Sequence, residues 1–234
     1  FKMNKFIFDV DGTLTPSRRP INDDFAVFFS NFCAEHDCYL VTGSNREKTI
    51  EQIGEEIYSL AQRVYNCSGS DAYEGSKNVY ADPWTLPDDT RKWLEQTLKA
   101  STFGLRTGLH IEERTGMVNF SIVGRNATMG ERQLYVKYDT VEKERNRIAR
   151  EFNKKFPDLI ATVGGETGID ISPIGTDKSQ ILRDFDPKDT IWFFGDAMDP
   201  SGNDYTLSKC KEVTWPVAVK GWQDTQDRLS RILK

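Results

Sequence analysis

The chain has 234 residues, 38% of them hydrophobic and 29% charged, which is enough apolar material for a packed core and the wrong balance for a disordered tail. A net charge of −5 and a pI near 5.2 speak against a nucleic-acid partner, which calls for a basic face. They leave room for an anionic small molecule gripped by a local group of arginines. In chain order, Phe6-Ile7-Phe8 is aromatic and β-branched and stops at Asp9-Val10-Asp11-Gly12, the pattern of a buried strand running into a loop. From Asn22 to about Glu35, Phe25, Val27, Phe28, Phe29 and Phe32 recur at helical spacing behind a cap at Asn22 or Asp23. Tyr39-Leu40-Val41 predicts a second strand ending at Thr42-Gly43-Ser44. A helix over about 46–63 follows, with Ile50, Ile53, Ile57 and Leu60 on one stripe, and then a third strand at Val64-Tyr65-Asn66. Strand, helix, strand, helix, strand is the pattern of a doubly wound parallel sheet, whose ligands bind beyond the carboxyl ends of the strands.

The rhythm changes near residue 79. A helix ending at Leu98 follows Pro87-Asp88-Asp89, and two alternating segments, 109–113 and 117–122, are joined across Arg114-Thr115-Gly116 as a hairpin. One polar helix is predicted over about 140–156, and strands over 160–163 and 168–172. After Asp177 the α/β rhythm returns, with a helix over 178–185, a strand at Ile191-Trp192-Phe193-Phe194, a strand at Val217-Ala218-Val219 and a last helix over 223–233. The chain therefore divides into an α/β core, residues 1–78 and 177–234, and an inserted α+β cap, residues 79–176. No apolar run approaches the roughly 20 residues needed to cross a bilayer. The segment Phe1–Lys5 leads straight into a strand, so no signal peptide is expected. Cys33, Cys38, Cys67 and Cys210 form neither a CxxC pair nor a zinc spacing, which favours reduced thiols in the cytoplasm. His36 and His110 are expected to be surface and cap-strand residues outside the chemistry.

Chemistry concentrates in Phe8-Asp9-Val10-Asp11-Gly12-Thr13-Leu14-Thr15. Two carboxylates spaced i, i+2 just past a strand reach one crevice when a glycine turns the chain away. One can then attack phosphorus while the other moves a proton, provided a cation such as magnesium shields the repulsion between anions. A calcium loop of the EF-hand type would require Glu at the twelfth position, where this chain has Pro20.

This opening resembles that of the haloacid dehalogenase superfamily, and three further motifs of that superfamily follow in order: Thr42-Gly43-Ser44, Lys178, and Gly195-Asp196 with Asn203-Asp204. The stretch Ile111-Glu112-Glu113-Arg114-Thr115-Gly116-Met117-Val118-Asn119-Phe120-Ser121-Ile122-Val123-Gly124-Arg125 is similar to the eukaryotic-type phosphomannomutases, which read closely as IEFRNGMLNVSPIGR, and the likeness spans essentially the whole chain. It implies a haloacid dehalogenase-like fold and an enzyme that interconverts mannose 6-phosphate and mannose 1-phosphate on the route to GDP-mannose, with a hexose 1,6-bisphosphate as intermediate and activator. Asp9 would be the nucleophile, Asp11 the general acid/base and Lys178 the charge neutraliser. Asp9, Asp11 and Asp196 would hold Mg2+. Ser44 would hold the phosphoryl group, and Arg18, Arg114, Arg125, Arg132 and Asp170 would bind the sugar phosphate. Arginine suits a distal phosphate because its planar fork binds bidentately and stays charged. The resemblance also implies a homodimer formed through the cap, and cap closure that keeps water from the aspartyl phosphate. The apolar helix face near Trp93 and Leu98 fits either a dimer contact or the core of the cap itself.

The chain departs from the family at three places. Gly168 stands where the family has a serine, two residues before Asp170; the second motif reads Thr42-Gly43-Ser44-Asn45 instead of GGSD; and the acidic residue expected after Asp204 is missing. A magnesium-dependent sugar-phosphate phosphatase of the same superfamily is the alternative reading, because the same two aspartates serve a reaction in which water takes the phosphoryl group.

Overall fold

A computed structural model describes residues 2–233, with Phe1 and Lys234, the ends of the two predicted core stretches, lying outside them. In chain order it contains β1 (Asn4–Phe8), α1 (Asp23–Glu35), β2 (Asp37–Val41), α2 (Arg46–Leu60), β3 (Arg63–Asn66), β4 (Asp71–Glu74), β5 (Lys77–Ala81), α3 (Asp88–Ala100), β6 (Ile111–Arg114) and β7 (Met117–Ser121). Then come α4 (Met129–Glu142), α5 (Glu144–Lys155), β8 (Leu159–Gly164), β9 (Gly168–Pro173), a 3-10 turn (Lys178–Asp184), β10 (Thr190–Gly195), α6 (Tyr205–Lys209), β11 (Trp215–Ala218) and α7 (Trp222–Ile232). The chain forms two compact units, one made of the residues up to Asp82 and from Gly175 onward, the other of Pro83–Ile174.

In the first unit the described residues form one sheet in the order β11-β10-β1-β2-β3-β4-β5. β11 through β3 run parallel, so the carboxyl ends of β1, β2 and β10 share one edge of the sheet. β1 lies between β10 and β2 and is apolar throughout its last three residues, because both faces of a central parallel strand are covered. On one face Phe8 stacks on Phe194 and meets Phe29 of α1 edge-on, both at 4.9 Å between ring centroids. On the other, Ile7, Val41, Tyr65, Ile181 and Phe193 form a second buried layer. Asn22 starts α1, its side-chain oxygen accepting the Phe25 amide at 3.1 Å.

Several boundaries differ from the sequence reading. α2 ends at Leu60, not Arg63, and is interrupted at Gly54, whose φ of 82° no right-handed helix contains. The predicted helix over 178–185 is a 3-10 turn. A β4–β5 hairpin that the alternation did not reveal extends the sheet antiparallel, and the division between units falls after it, at Asp82, where the sequence reading cut at 78.

The second unit packs α3, α4 and α5 on an antiparallel sheet in the order β6-β7-β9-β8. Its core includes Leu94, Val118, Phe120, Tyr135, Ile148, Phe152, Ile169 and Ile171. The single polar helix predicted over 140–156 is instead two. α4 begins eleven residues earlier at a capping box, in which Thr128 and Glu131 exchange backbone bonds. It ends at Lys143, whose φ of 55° is left-handed and turns the chain into α5. Trp93 and Leu98 pack against this unit's own core, with Trp93 edge-on to Phe152 and Phe156. His36 caps the end of α1 and stacks on Phe32, and His110 Nδ1 lies 2.9 Å from the Ser121 carbonyl oxygen. All four cysteines are free. Among the described residues no helix is long and apolar enough to cross a membrane.

Candidate active site

Asp9 is the first residue past β1, where the apolar strand must give way to a loop. Its amide still bonds the Phe194 carbonyl at 2.9 Å, so the strand ladder fixes the backbone that carries the carboxylate. The side chain is buried. Oδ1 accepts the Lys178 ammonium at 2.8 Å and Oδ2 accepts the Thr13 hydroxyl at 3.2 Å. The same ammonium reaches Asp204 Oδ1 at 2.8 Å, while Asp204 Oδ2 accepts the Ala197 amide at 3.1 Å. Asp196, exposed just past β10, completes a group with Asp9 and Asp204 in which one carboxylate oxygen of each lies within 4.8 Å of the others. Gly12 makes room for it: a Cβ there would stand 2.1 Å from Asp196 Oδ2, and its φ of 75° suits glycine.

The electrostatics follow from crowding. Burial and then the Asp204 charge push the Asp9 carboxyl well above the usual carboxylate range, against the pull of Lys178. Burial, with Asp204 adding to it, also raises Asp196. Burial alone would lower Lys178, but Asp204 and Asp9 outweigh it and hold the ammonium above the usual lysine value, so it stays charged. With all three ionised, the carboxylates would outnumber the one ammonium by two charges, the repulsion that raises Asp9 and Asp196 and that a cation would offset. An all-oxygen carboxylate set with that excess fits a hard divalent cation such as magnesium.

The structure rearranges one expectation. The third carboxylate in the group is that of Asp204, not Asp11. The Asp11 carboxylate is captured through Oδ1, which accepts the Arg18 backbone amide at 2.8 Å and the Gln52 side-chain amide at 2.5 Å. The signal for Asp204 was present as the Asn203-Asp204 end of the fourth motif. What the sequence did not show is that the Lys178 ammonium would be shared between Asp9 and Asp204. Ser44 lies past the end of β2, the strand beside β1, its amide donating to Thr42 Oγ1 at 3.2 Å. This loop is braced by a turn at Cys67–Gly69, whose three residues all have positive φ and whose amides at Cys67 and Ser68 bond the Ser44 and Thr42 carbonyls at 2.9 and 2.8 Å.

The second unit holds a separate cluster. Strand register aligns Glu112 of β6 with Asn119 of β7, and Asn119 with Asp170 of β9, so three polar side chains stand in one row across the sheet. Glu112 accepts Arg114 Nε at 2.6 Å and Arg125 Nε at 2.9 Å. Asn119 accepts Arg125 Nη1 at 3.3 Å and donates to Asp170 Oδ1 at 2.9 Å. Burial would raise Glu112, but Arg114 and Arg125 outweigh it and hold the carboxyl below the usual glutamate value. Burial, then the charge of Arg114, with Arg132 adding to it, lowers Arg125 from the usual guanidinium value. Arg132 itself donates to Glu166 at 3.2 Å. The sequence reading named the arginines and Asp170 but missed Glu112 and Asn119, which orient them. The one available signal was a lone polar residue between Val118 and Phe120. Gly168 opens β9 beside this row, and a Cβ there would lie 2.5 Å from Asn119 Nδ2. Arg18 belongs to the first unit and has a left-handed φ of 60°.

Residues 26–234 match the model of the family described as eukaryotic phosphomannomutase. The chain is 32% identical to a phosphomannomutase of Drosophila melanogaster over 242 residues, covering 97% of this chain and 94% of that protein. It is 31% identical to phosphomannomutase 1 of Dictyostelium discoideum, covering 97% and 95%. Among solved structures, the IMP-bound IMP-nucleotidase of Plasmodium falciparum superposes with a TM-score of 0.65 at 19% identity, covering 99% of this chain and 68% of that one. A haloacid dehalogenase-like hydrolase from Bacteroides thetaiotaomicron superposes with a TM-score of 0.62 at 12% identity, covering 99% and 100%. The fold is haloacid dehalogenase-like, and the chain belongs to the eukaryotic phosphomannomutase family.

Proposed function

We propose that this protein is a phosphomannomutase, interconverting mannose 6-phosphate and mannose 1-phosphate through a phosphorylated Asp9 and a hexose 1,6-bisphosphate. The observation that carries the reading is that a chain related along its length to phosphomannomutases contains two separate anion-handling devices. One is the buried Asp9 held on Lys178, and the other is the arginine row ordered by Glu112, Asn119 and Asp170. A mutase needs both, because it transfers one phosphate while gripping another, and then accepts the bisphosphate reversed.

In the first half-reaction the free hydroxyl of the hexose monophosphate attacks the phosphorus of phosphorylated Asp9, Asp11 takes the hydroxyl proton, and the bond from phosphorus to the Asp9 oxygen breaks, giving the 1,6-bisphosphate and a free Asp9 carboxylate. In the second, after the bisphosphate has reversed, an Asp9 oxygen bonds to the other phosphorus, the bond from that phosphorus to the sugar oxygen breaks, and Asp11 gives the sugar oxygen its proton, leaving the isomeric monophosphate and phosphorylated Asp9. Lys178 holds Asp9 in place and offsets charge beside it. A magnesium ion held by Asp9, Asp196 and Asp204 would supply the positive charge that lets an anionic phosphate approach an anionic carboxylate. Ser44 and Arg18 bind the phosphoryl end of the substrate. Arg114, Arg125, Arg132 and Asp170 bind the phosphate and hydroxyls that do not react. The protein works in the cytoplasm as a homodimer formed through the cap, supplying mannose 1-phosphate to GDP-mannose formation. Support for a dimer face now comes from α4, which exposes Leu134 and Val141 seven residues apart on one side, whereas Trp93 and Leu98 pack inward.

The test is a paired assay with magnesium, mannose 1-phosphate and a trace of glucose 1,6-bisphosphate, following mannose 6-phosphate and free phosphate together. Isomer forming faster than phosphate, and lost in Asp9→Asn, is the expected result. Phosphate without isomer would make the protein a sugar-phosphate phosphatase.

A further inference from the structure

Gln52 lies in α2 and is 1% exposed. Its backbone carbonyl accepts the Ile21 amide at 2.7 Å, and two residues later the helix is broken at Gly54, so the position is pinned from both sides. The side-chain amide donates to Asp11 Oδ1 at 2.5 Å and lies 3.3 Å from the Thr15 hydroxyl. The orientation of that amide follows from its neighbour, since a carboxylate oxygen only accepts and Nε2 must be the atom that faces it. Oε1, on the far side, is buried without a hydrogen-bond partner. The polar contacts of this side chain to the rest of the protein are therefore made through Nε2 alone.

We infer that Gln52 is a positioning residue for the phosphoryl-transfer reaction, acting through Asp11. This rests on the reading of Asp11 as the group that exchanges the sugar proton. Two donors, the Arg18 amide and Gln52 Nε2, converge on Oδ1 from opposite parts of the chain, one from the turn after β1 and one from α2. Neither engages Oδ2, so the carboxyl plane is held while the second oxygen remains to meet the reacting hydroxyl. With only the Arg18 amide, the carboxyl could rotate about its Cβ–Cγ bond. A reacting group misplaced by about 1 Å loses on the order of 10²-fold in rate.

The experiment compares the full chain with Gln52→Met, which keeps side-chain length, with Gln52→Asn, which withdraws the amide from Asp11, and with both changes placed in an Asp11→Asn background. Thermal melts establish that each variant is folded. In the wild-type background kcat for mannose 6-phosphate formation falls by about 10²-fold, with KM within about twofold. In the Asp11→Asn background the same changes move residual turnover by less than about twofold, because a residue acting only through Asp11 has nothing left to position. Equal losses in the two backgrounds, or unchanged kcat in both folded variants, would overturn the inference. Wild-type protein that releases phosphate but makes no isomer would instead overturn the mutase reading. The comparison would then be scored on phosphate release, which needs the same proton transfer.

Discussion

At position 168 the chain has a glycine, and the neighbouring packing says what a serine there would do. A Cβ there would lie 2.5 Å from Asn119 Nδ2, and Asn119 is the residue that joins Arg125 to Asp170. Gly168→Ser is therefore expected to displace Asn119 instead of adding a hydrogen bond. The expected cost is about 1–3 kcal/mol in stability by denaturant titration, together with a raised KM for the sugar phosphate. A lowered KM would show that the serine finds the substrate without disturbing the row. Glu112 makes a second residue-scale prediction. Arg114 and Arg125, outweighing burial, hold its carboxyl below the ordinary value of 4.5 in the folded protein. A carboxyl whose folded value is depressed adds stability above its unfolded value and loses it as pH falls through the folded value. Glu112→Gln should flatten the decline of stability below about pH 4.5, read from urea midpoints measured across that range. An unchanged decline would mean that the pair contributes nothing there. Lys178 was legible at this scale as a charge neutraliser. Its sharing between Asp9 and Asp204 was not, because the two aspartates are 195 positions apart, one just past β1 and the other at the start of α6, and only the folded chain brings both to the same lysine.

At the scale of elements, Lys143 joins α4 to α5 with a φ of 55° and an amide bonded to the Asp139 carbonyl at 2.8 Å. A left-handed residue with a Cβ costs roughly 1–2 kcal/mol, which glycine avoids. Part of that gain is returned through glycine's freer unfolded chain. Lys143→Gly should therefore stabilise the protein by about 1 kcal/mol in denaturant titrations. A loss would show that the lysine side chain makes an interaction worth more than the backbone strain. This junction is also where the sequence reading failed. The segment is polar and helical in propensity throughout, so periodicity ran across a break that depends on one residue's backbone, while the Thr128/Glu131 capping box that opens α4 went unused. β4 and β5 were missed for a different reason. Their burial is that of a sheet edge, with Ala72 the one fully covered side chain, and they lack the apolar alternation that marked the Met117–Ser121 strand. The elements that carry the core site were legible because β1, β2 and β10 are buried apolar runs that each end in a polar motif.

At the scale of the whole molecule, the carboxylate group lies entirely in the unit built on the parallel sheet, contributed by the ends of β1 and β10 and by the residue that begins α6. Ligation there offsets the repulsion that raises Asp9 and Asp196. A cation that binds the native state and not the unfolded chain adds RT ln(1 + [L]/Kd), about 2.7 kcal/mol at one hundred times Kd. For a unit of this size that is roughly 5–10 °C in Tm. Magnesium should therefore raise the melting temperature by that order. It should also slow hydrogen exchange most in the amides around Asp9, in β10 and at the start of α6, where the ligands sit. Asp196→Asn should lose both effects, because it removes a donor while leaving the buried Lys178 pairs untouched. Lys178→Met makes the complementary case. It leaves Asp9 and Asp204 facing each other without their shared ammonium, a loss of about 3–5 kcal/mol expected for breaking a buried pair, and magnesium should recover part of it by taking up the uncovered charge. A metal that shifts Tm equally in wild type and Asp196→Asn would place its binding elsewhere on this acidic chain, and the Asp9–Asp196–Asp204 group would lose its assignment as the cation site.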